Sequence, residues 1–402
     1  MIPRFLQIHF LTAYPASLLN RDDAGFAKRM PFGGAVRTRI SSQCQKRHWR
    51  TFEGPHSLAE IRGKEAMSVR SRYIFEQIAE PLRTEFGGEA VDKMVQAITD
   101  ATLGASDKNN NMEKDDKAKK DRKSLRTNQL IVLGHPEIRF LEETARKLLK
   151  EGAKPDSEGI KKVLGREGQA NLQAIGRGAG LDAALFGRMK TSDVLADCDA
   201  AVHVAHAFTV HGEHAETDYF TAVDDLVREI DSDAGAGAGH VNAAELTSGI
   251  YYGYVAVDVP LLISNLEGVD PGAWEEADRN LAGEVVERLV HLVASVSPGA
   301  KLGATAPYSL ADFVAVEAGI GQPCTWANAF FDPVTGQDHL REKAVARLDD
   351  YLLRLDRMHQ PAVERRYAAM TDAGLGADRA ENAEGLPFLA RWACAVITEG
   401  ME

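Results

Sequence analysis

The stretch LNRDDAGFAKRMPFGGAVRTRISSQCQKRHWR, residues 19–50, carries the strongest structural signals in this chain. It opens with a loop rich in turn residues, and Arg37 to Ile40 then predict a short strand. Ser41 or Ser42 stands where the N-cap of a helix belongs, directly ahead of QCQKRHWRTF. The stretch therefore predicts a loop, a strand and a helix in succession.

One face of this predicted helix is basic, because residues three and four positions apart share a helix face. The residues at that spacing are Gln43, Lys46, Arg47 and Arg50. Cys44, His48 and Phe52 lie on another face and can pack inward. A solvated face is the ordinary interpretation of such a pattern. The hydroxyls and free amides of Ser41 and Ser42 favour a phosphate site instead, because the start of a helix attracts anions.

The charge of the chain is unevenly distributed. The formal net charge is −12, which by itself argues against binding a polyanion. Between residues 21 and 50 there are eight cations against two carboxylates, Asp22 and Asp23, so the local charge is +6. The eight cations are Arg21, Lys28, Arg29, Arg37, Arg39, Lys46, Arg47 and Arg50. We therefore predict a local positive groove on an acidic body.

Length and composition are those of an ordinary globular protein. The 402 residues are 44% hydrophobic and 26% charged, so two or three subdomains are expected. No stretch approaches the roughly 18 consecutive apolar residues that span a bilayer. The start MIPRFLQIHF lacks the features of a signal peptide, so the expected location is cytoplasmic, with no membrane partner. The four cysteines lie far apart without a CxxC pair, which predicts neither a zinc site nor a disulfide framework.

Apolar patterning outside the basic stretch predicts both strands and helices. RFLQIHFLT alternates and predicts a first strand. Residues from about 55 to 180 predict mainly helices, interrupted at about 106–124 by a charged loop without apolar period. Further strands are predicted at 199–211, about 217–228, 246–259 and around 301–317, and further helices at 275–296 and 338–358. Strands that return after a long helical block indicate an α+β fold, one domain carrying insertions.

Tyr219, Phe220 and Thr221 open a predicted hairpin whose tip, DSDAGAGAGH, is rich in small residues. Adjacent residues of a strand point to opposite sides, so one aromatic ring can pack inward while the other meets a nucleic-acid base. The alternative is that both rings belong to a core.

Four histidines in HVAHAFTVHGEH, residues 203–214, invite a metal-site interpretation. A continuous strand would place His203 and His211 on one side and His206 on the other. Unless the strand is broken, they cannot converge as zinc ligands do, so packed or hydrogen-bonded histidines are favoured.

Asp22 and Asp23 could hold a divalent cation for phosphodiester cleavage. No further acidic partners stand at a readable spacing, so a loop ion pair or an Asx turn is favoured. The GxSxG, HExxH and GxxxxGK[ST] motifs are absent from the sequence. We therefore predict no catalytic residue, no metal site and no cofactor.

Five segments in order resemble one known family. They are residues 19–50, quoted above, LFGRMKTSD (185–193), AHAFTVH (205–211), DYFTAVDDL (218–226) and SGIYYGY (248–254). They are similar to the backbone subunit, CasC, of the type I-E CRISPR Cascade surveillance complex, a member of the Cas-seven family in the RAMP superfamily. The match is looser between about 55 and 180 and after 330.

The resemblance implies a ferredoxin-like (RRM-like) palm with a helical fingers insertion and a β-hairpin thumb. Its expected boundaries are palm at 1–54, fingers at 55–180, palm again at 181–330 with the thumb at about 214–248, and a C-terminal helical segment at 331–402. It implies an antiviral RNA-binding protein without catalytic activity. The implied partners are the CRISPR guide RNA, further copies in a helical filament, other Cascade subunits, and target DNA through the guide.

Residue by residue, the resemblance implies RNA-backbone contacts from Arg21, Lys28, Ser41, Gln43, Lys46 and Arg50. The basic stretch itself adds Arg39, Ser42 and Arg47 to the expected RNA-binding set. Met189 and the Tyr219, Phe220 and Thr221 tract would flank a nucleotide pushed out of the stack, with Tyr219 standing where the family has tryptophan. Lys161 and Lys162 would touch target DNA.

Two other function classes remain as alternatives. One is a metal-dependent ribonuclease of a type III-like effector backbone, using Asp22 or Asp23. The other is an acidic metabolic enzyme, for which no motif is present. A cleavage assay with magnesium separates the ribonuclease from a non-catalytic RNA-binding protein.

Overall fold

The computed structural model describes residues 1–103, 125–155, 160, 180–188, 198–223, 238–336 and 338–401, without the side chains of 220–223 and 238–242. The described chain divides into two compact units. The first comprises residues 1–57, 203–257 and 283–402. The second comprises residues 58–202 and 258–282. The charged segment predicted to be a loop, about 106–124, lies outside the described residues.

Twelve strands are present in the described residues. They are β1 (Phe5–Ser17), β2 (Arg29–Phe32), β3 (Ala35–Ile40), β4 (Ser68–Ser71), β5 (Ile131–Gly134), β6 (Val202–Val204), β7 (Ala207–Thr209), β8 (Ala215–Val223), β9 (Ala238–Asp258), β10 (Ala311–Gly319), β11 (Val363–Ala369) and β12 (Glu381–Asn382). Ten of them form one sheet in the order β12-β11-β10-β1-β9-β7-β3-β2, and β6 and β8 also pair with β9. The remaining two, β4 and β5, pair with each other.

The helices described are α1 (Ser42–Thr51), α2 (Ala59–Arg62), α3 (Ile74–Phe86), α4 (Gly88–Leu103), α5 (His135–Lys150), α6 (Leu181–Phe186), α7 (Val259–Glu267), α8 (Asn280–Ser295), α9 (Leu302–Thr305), α10 (Leu340–His359) and α11 (Leu386–Thr398). Three short 3-10 turns occupy Lys64–Ala66, Pro271–Glu276 and Ala327–Phe330. Helices and a large, mostly antiparallel sheet together confirm the predicted α+β class. No helix in the described part of the chain combines the length and apolar character needed to cross a bilayer.

β1 lies inside the sheet and is buried on both faces. It was predicted from alternation, which implies one polar face, yet Gln7 and His9 are as buried as Leu6 and Ile8. These polar side chains are accommodated by hydrogen bonds, for example between His9 Nδ1 and the Tyr252 hydroxyl at 2.9 Å. Burial of the second face therefore relies on polar partners from other strands, which no local pattern reveals.

The β2–β3 hairpin turns at Gly33 and Gly34. Gly33 has φ of 60°, and a Cβ on it would lie 1.3 Å from the carbonyl oxygen of Phe331. Only glycine therefore fits this position. The sequence predicted the second strand of the hairpin but read the first, β2, as loop.

Three other segments differ from expectation. The predicted strand at 199–211 is broken into β6 and β7, with Ala205 and His206 between them. Residues around 301–317, expected to be strands, begin as the short helix α9 and continue as the single strand β10. The segment 331–402, expected to be helical, also contributes β11 and β12 to the edge of the sheet.

The second unit is mainly helical in its described part. Apolar residues of α3, α4 and α5 form its core, with Phe75, Ile98 and Leu141 among the buried side chains. The short sheet of β4 and β5, which was not predicted, pairs Ser68 with Gly134 in antiparallel register.

Candidate nucleic-acid interface

The loop of residues 20–28, called the basic loop below, is closed by its own backbone and by Asp22. The Asp22 carboxylate accepts a hydrogen bond from the Phe26 amide at 2.9 Å, and the Asp22 amide donates to the Phe26 carbonyl at 2.8 Å. At the base of the loop, the Lys28 amide donates to the Asn20 carbonyl at 2.9 Å. Asp22 therefore closes the loop through an amide four residues on, which differs from the two-residue bond of the Asx turn that the sequence favoured over metal binding. The loop holds the exposed Arg21 at its base.

Ser41 is the N-cap of α1. Its hydroxyl oxygen accepts from the Cys44 amide at 3.2 Å, and its own amide donates to Asn20 Oδ1 at 2.9 Å. The Ser42 amide, which the sequence offered to a phosphate, donates to His206 Nδ1 at 3.2 Å. A phosphate at this helix end would therefore meet the two serine hydroxyls before the Ser42 amide.

His206 is fixed in one tautomer by its donors. Nδ1 faces the Ser42 amide and also lies 3.4 Å from an Arg39 guanidinium nitrogen, so it acts as an acceptor and the ring proton is on Nε2. Burial, followed by the nearby charge of Arg39, lowers the pKa of His206. The ring is therefore neutral although it lies in the middle of a basic surface.

The basic face predicted for α1 faces outward. Gln43 and Arg47 are exposed, while Lys46 and Arg50 are half-buried. The buried face of α1 is not the one predicted, because its deeply buried residues are Gln45 and Trp49. The residues predicted to pack inward, Cys44, His48 and Phe52, are half-buried beside them. Gln45 anchors the helix by donating to the Ala205 carbonyl at 2.9 Å, in the break between β6 and β7.

Arg37 is a core residue. Its side chain is fully buried, and its guanidinium donates to the carbonyl oxygens of Thr209 at 2.8 Å and Phe330 at 3.0 Å. These bonds tie β3 to β7 and to the turn at Ala327–Phe330. Arg37 is thus one cation of the basic stretch that has no access to a ligand.

Arg29 is a second cation that is already paired. Its guanidinium bonds the carboxylates of Glu213 and Glu245. Burial opposes the charge of Arg29, but its bonds to these carboxylates outweigh burial and raise its pKa. With Arg29 and Arg37 set aside, the cations on the surface of the stretch are Arg21, Lys28, Arg39, Lys46, Arg47 and Arg50.

Two hydrogen bonds connect the elements that carry these cations, one between backbone groups and one to the Asn20 side chain. The Arg39 amide donates to the Lys28 carbonyl at 2.8 Å, which joins β3 to the loop. Asn20, at the start of the loop, receives the Ser41 amide, which joins the loop to α1. Loop, strand and helix therefore present their cations as one fixed array.

The predicted hairpin is formed by β8 and the first part of β9. Tyr219 pairs with Ala243 and Phe220 with Asn242 in antiparallel register. The Tyr219 side chain is 74% exposed, so it does not belong to a core in this chain. The side chains of Phe220 and Thr221 lie outside the described residues, as do Met189, Lys161 and Lys162.

The histidine cluster does not form a metal site in the described part of the chain, where no three histidine, cysteine or acidic residues converge. The strand break that such a site would need is present at Ala205 and His206. His211 is nevertheless buried and uses both ring nitrogens, with Nδ1 donating to the Gly212 carbonyl at 2.7 Å and Nε2 accepting from the Ile250 amide at 3.2 Å. Burial lowers its pKa, which favours this neutral, packed form.

The chain matches the model of the CT1975-like protein family over residues 6–389. It belongs to this family. The family is of the Cas-seven type, which confirms the resemblance seen in residues 19–50 and the four later segments. None of the curated proteins matches this chain.

Two solved structures are similar along nearly the whole chain. One, described as a CRISPR RNA-guided surveillance complex, pre-nicking, is 30% identical with a TM-score of 0.77, covering 98% of this chain and 100% of its counterpart. The other, described as a CRISPR RNA-guided surveillance complex, is 25% identical with a TM-score of 0.68, covering 98% and 99%. The fold of this family member is therefore that of a surveillance-complex subunit.

Proposed function

We propose that this chain is the guide-RNA-binding backbone subunit of a type I-E Cascade complex, and that it has no catalytic activity. The observation that carries the proposal is the array of Arg21, Lys28, Arg39, Lys46, Arg47 and Arg50 on a loop, strand and helix joined by hydrogen bonds. Phosphate contacts position a nucleic acid without reading its sequence, which is what a variable guide requires. The family and the similar surveillance complexes support the same assignment.

In this proposal several cytoplasmic copies line up along the guide and associate with other Cascade subunits. Each thumb, built from β8 and β9, displaces one nucleotide, so the guide is displayed in short segments for pairing with target DNA. The exposed Tyr219 supports a stacking role for the thumb. Phe220, Thr221 and Met189 are proposed to flank the displaced nucleotide, and Lys161 and Lys162 to contact the DNA.

We also propose a ferredoxin-like palm. The chain order β1, α1, β7, β9, α8, β10 follows the β-α-β-β-α-β pattern of that fold. The corresponding strands are neighbours in the order β10-β1-β9-β7. This arrangement supports a palm whose first helix, α1, carries the basic face.

The salt dependence of RNA binding tests the electrostatic site. Each phosphate contact to single-stranded RNA contributes about 0.7 to the slope of log K against log salt. Lys46→Ala with Arg50→Ala should therefore reduce the slope by about 1.4. The matched control is Arg354→Ala with Arg357→Ala, two exposed cations of α10, which should leave the slope unchanged. A slope that the Lys46 and Arg50 substitutions do not alter would place the RNA elsewhere.

A further inference from the structure

One ion-pair cluster joins the start of β2 to both sides of the β8–β9 hairpin. It lies at the base of the hairpin, called the root of the thumb below. Arg29, the first residue of β2, donates through Nε to Glu213 and through a terminal nitrogen to Glu245. Glu213 lies two residues before β8, and Glu245 lies in β9 opposite Thr217. A single guanidinium thus contacts one carboxylate from each side of the hairpin.

Backbone bonds strengthen both connections. The second oxygen of Glu245 accepts from the Ala27 amide at 2.6 Å, so Glu245 also holds the loop of residues 20–28. The Glu213 amide donates to the Val36 carbonyl at 2.9 Å, which ties the incoming side to the β2–β3 hairpin. Glu213 and Glu245 are therefore bound to the basic stretch twice each, once through Arg29 and once through the backbone.

The cluster is partly buried, so water and salt screen its ion pairs less than they screen fully exposed pairs. The side chains of Glu245, Glu213 and Arg29 are 11%, 21% and 34% exposed. Removing Arg29 would leave two partly buried carboxylates facing each other without a counter-ion. Lysine could supply the charge but not the planar fork that reaches both carboxylates at once.

We propose that Arg29 is a positioning residue that holds the thumb root against the basic loop and does not bind phosphate. This rests on the proposed function, because the clamp sets the spacing between the phosphate-binding array and the nucleotide displaced by the thumb. The two glutamates neutralise the charge of Arg29, so Arg29 adds little to the attraction of RNA.

Hydrogen exchange of the free protein tests the clamp without RNA. Arg29→Gln should speed exchange of the amides at 215–219 and 243–247 by at least about tenfold, the factor expected for losing either one of its two charge-assisted hydrogen bonds. Amides of the β1 and β10 pairing should exchange as in the wild type and serve as the internal control. Arg29→Lys, which keeps the charge, should also speed exchange at the root, so the result does not depend on one variant folding well.

RNA binding by the same variants separates a clamp from a phosphate ligand. Arg29→Gln should keep the wild-type salt slope while fluorescent base analogues along the guide lose their periodic contrast. Glu213→Gln with Glu245→Gln should also remove the periodic contrast of the base analogues, and adding Arg29→Gln should not lower that contrast further, because the three residues act as one unit.

The opposite pattern would overturn the proposal. If Arg29 bound phosphate, Arg29→Gln would lower the slope by about 0.7. Unchanged exchange at the root would equally exclude a clamp. If the wild type showed no salt-dependent RNA binding, the proposed function would fail, while the exchange measurement would still decide whether Arg29 holds the thumb.

Discussion

Asp22 stabilises the basic loop through both its carboxylate and its backbone, whereas its neighbour Asp23 is simply exposed. We expect Asp22→Ala to loosen the loop and weaken guide binding by about 1 kcal/mol, the usual cost of losing a capping hydrogen bond. Asp23→Ala is the matched control and should change binding by less than about 0.5 kcal/mol. Titration of both variants with labelled guide measures the difference, and equal effects would contradict the loop-closing role of Asp22.

The same two aspartates give a prediction about chemistry. Neither joins a group of potential metal ligands in the described residues. We therefore expect guide RNA and matched target to remain intact when incubated with the complex and magnesium or manganese. Cleavage that Asp22→Ala or Asp23→Ala abolishes would establish the ribonuclease alternative instead.

At the level of single residues, the sequence identified the cations but not their partners. Arg37 and Arg39 stand two positions apart in β3 with the same side chain, yet Arg37 is buried against carbonyls from residues far along the chain and Arg39 reaches the surface. Arg29 is paired by glutamates more than 180 residues away. Charge type is local information, whereas the identity of the partner depends on tertiary structure, so the sequence predicted a more positive surface than the chain presents.

Elements defined by local signals were predicted well. α1 begins at Ser42 after the Ser41 cap and ends at Thr51, since capping and helical periodicity are both readable over a few residues. β2 and the pair of β4 and β5 were missed because they are four residues long, too short to show a period. β4 and β5 are also separated by about 60 residues, so their pairing has no hairpin signal.

The helix α8 carries a pH-sensitive residue. His291 stacks on His56 with ring centroids 3.8 Å apart, and burial, followed by the charges of His56, Arg288 and Arg391, lowers its pKa to about 4. Because the unfolded pKa is about 6.5, the unfolded chain binds the proton first, and stability falls as the pH drops from about 6.5 toward 4.

Urea unfolding at about pH 7.5 and about pH 4.5 measures this effect. His291→Phe keeps a ring to stack on His56 but cannot be protonated, so the fall in stability between the two pH values should be smaller than in the wild type. His359→Gln, at an exposed position, should leave the fall unchanged. The buried His9, whose pKa burial also lowers, contributes equally in every variant. An identical fall in the wild type and the phenylalanine variant would contradict the role of His291.

Over the whole molecule the net charge is −12, and the described surface carries a small basic array. Such a distribution suits a protein that binds one polyanion in one place and repels others. In the proposed function, the thumb adds contacts that do not depend on charge. Phe220→Ala with Met189→Ala should cost about 1 to 3 kcal/mol per lost stacking contact while the salt slope stays constant.

A fluorescent base analogue placed at successive positions along the guide measures whether the thumb displaces nucleotides. Bright positions should recur at regular intervals in the native complex, because a base pulled from the stack loses quenching by its neighbours. The double variant should lose this periodicity and bind target DNA more weakly. Tyr308→Ala, which removes another exposed aromatic, is the matched control and should retain it. Uniform fluorescence along the native guide would exclude the displacement of nucleotides by the thumb.

The buried position of Arg37 has an evolutionary consequence. Replacing it would leave the Thr209 and Phe330 carbonyls without their partner, so selection retains this arginine for folding. If the exposed Arg21 and Arg47 bind guide RNA as proposed, they are retained only while guide binding is useful to the cell. In lineages whose immune system has decayed but whose chain still folds, we expect the exposed cations to drift and Arg37 to persist. The arginines that survive in such relics would distinguish folding residues from RNA ligands without a binding measurement.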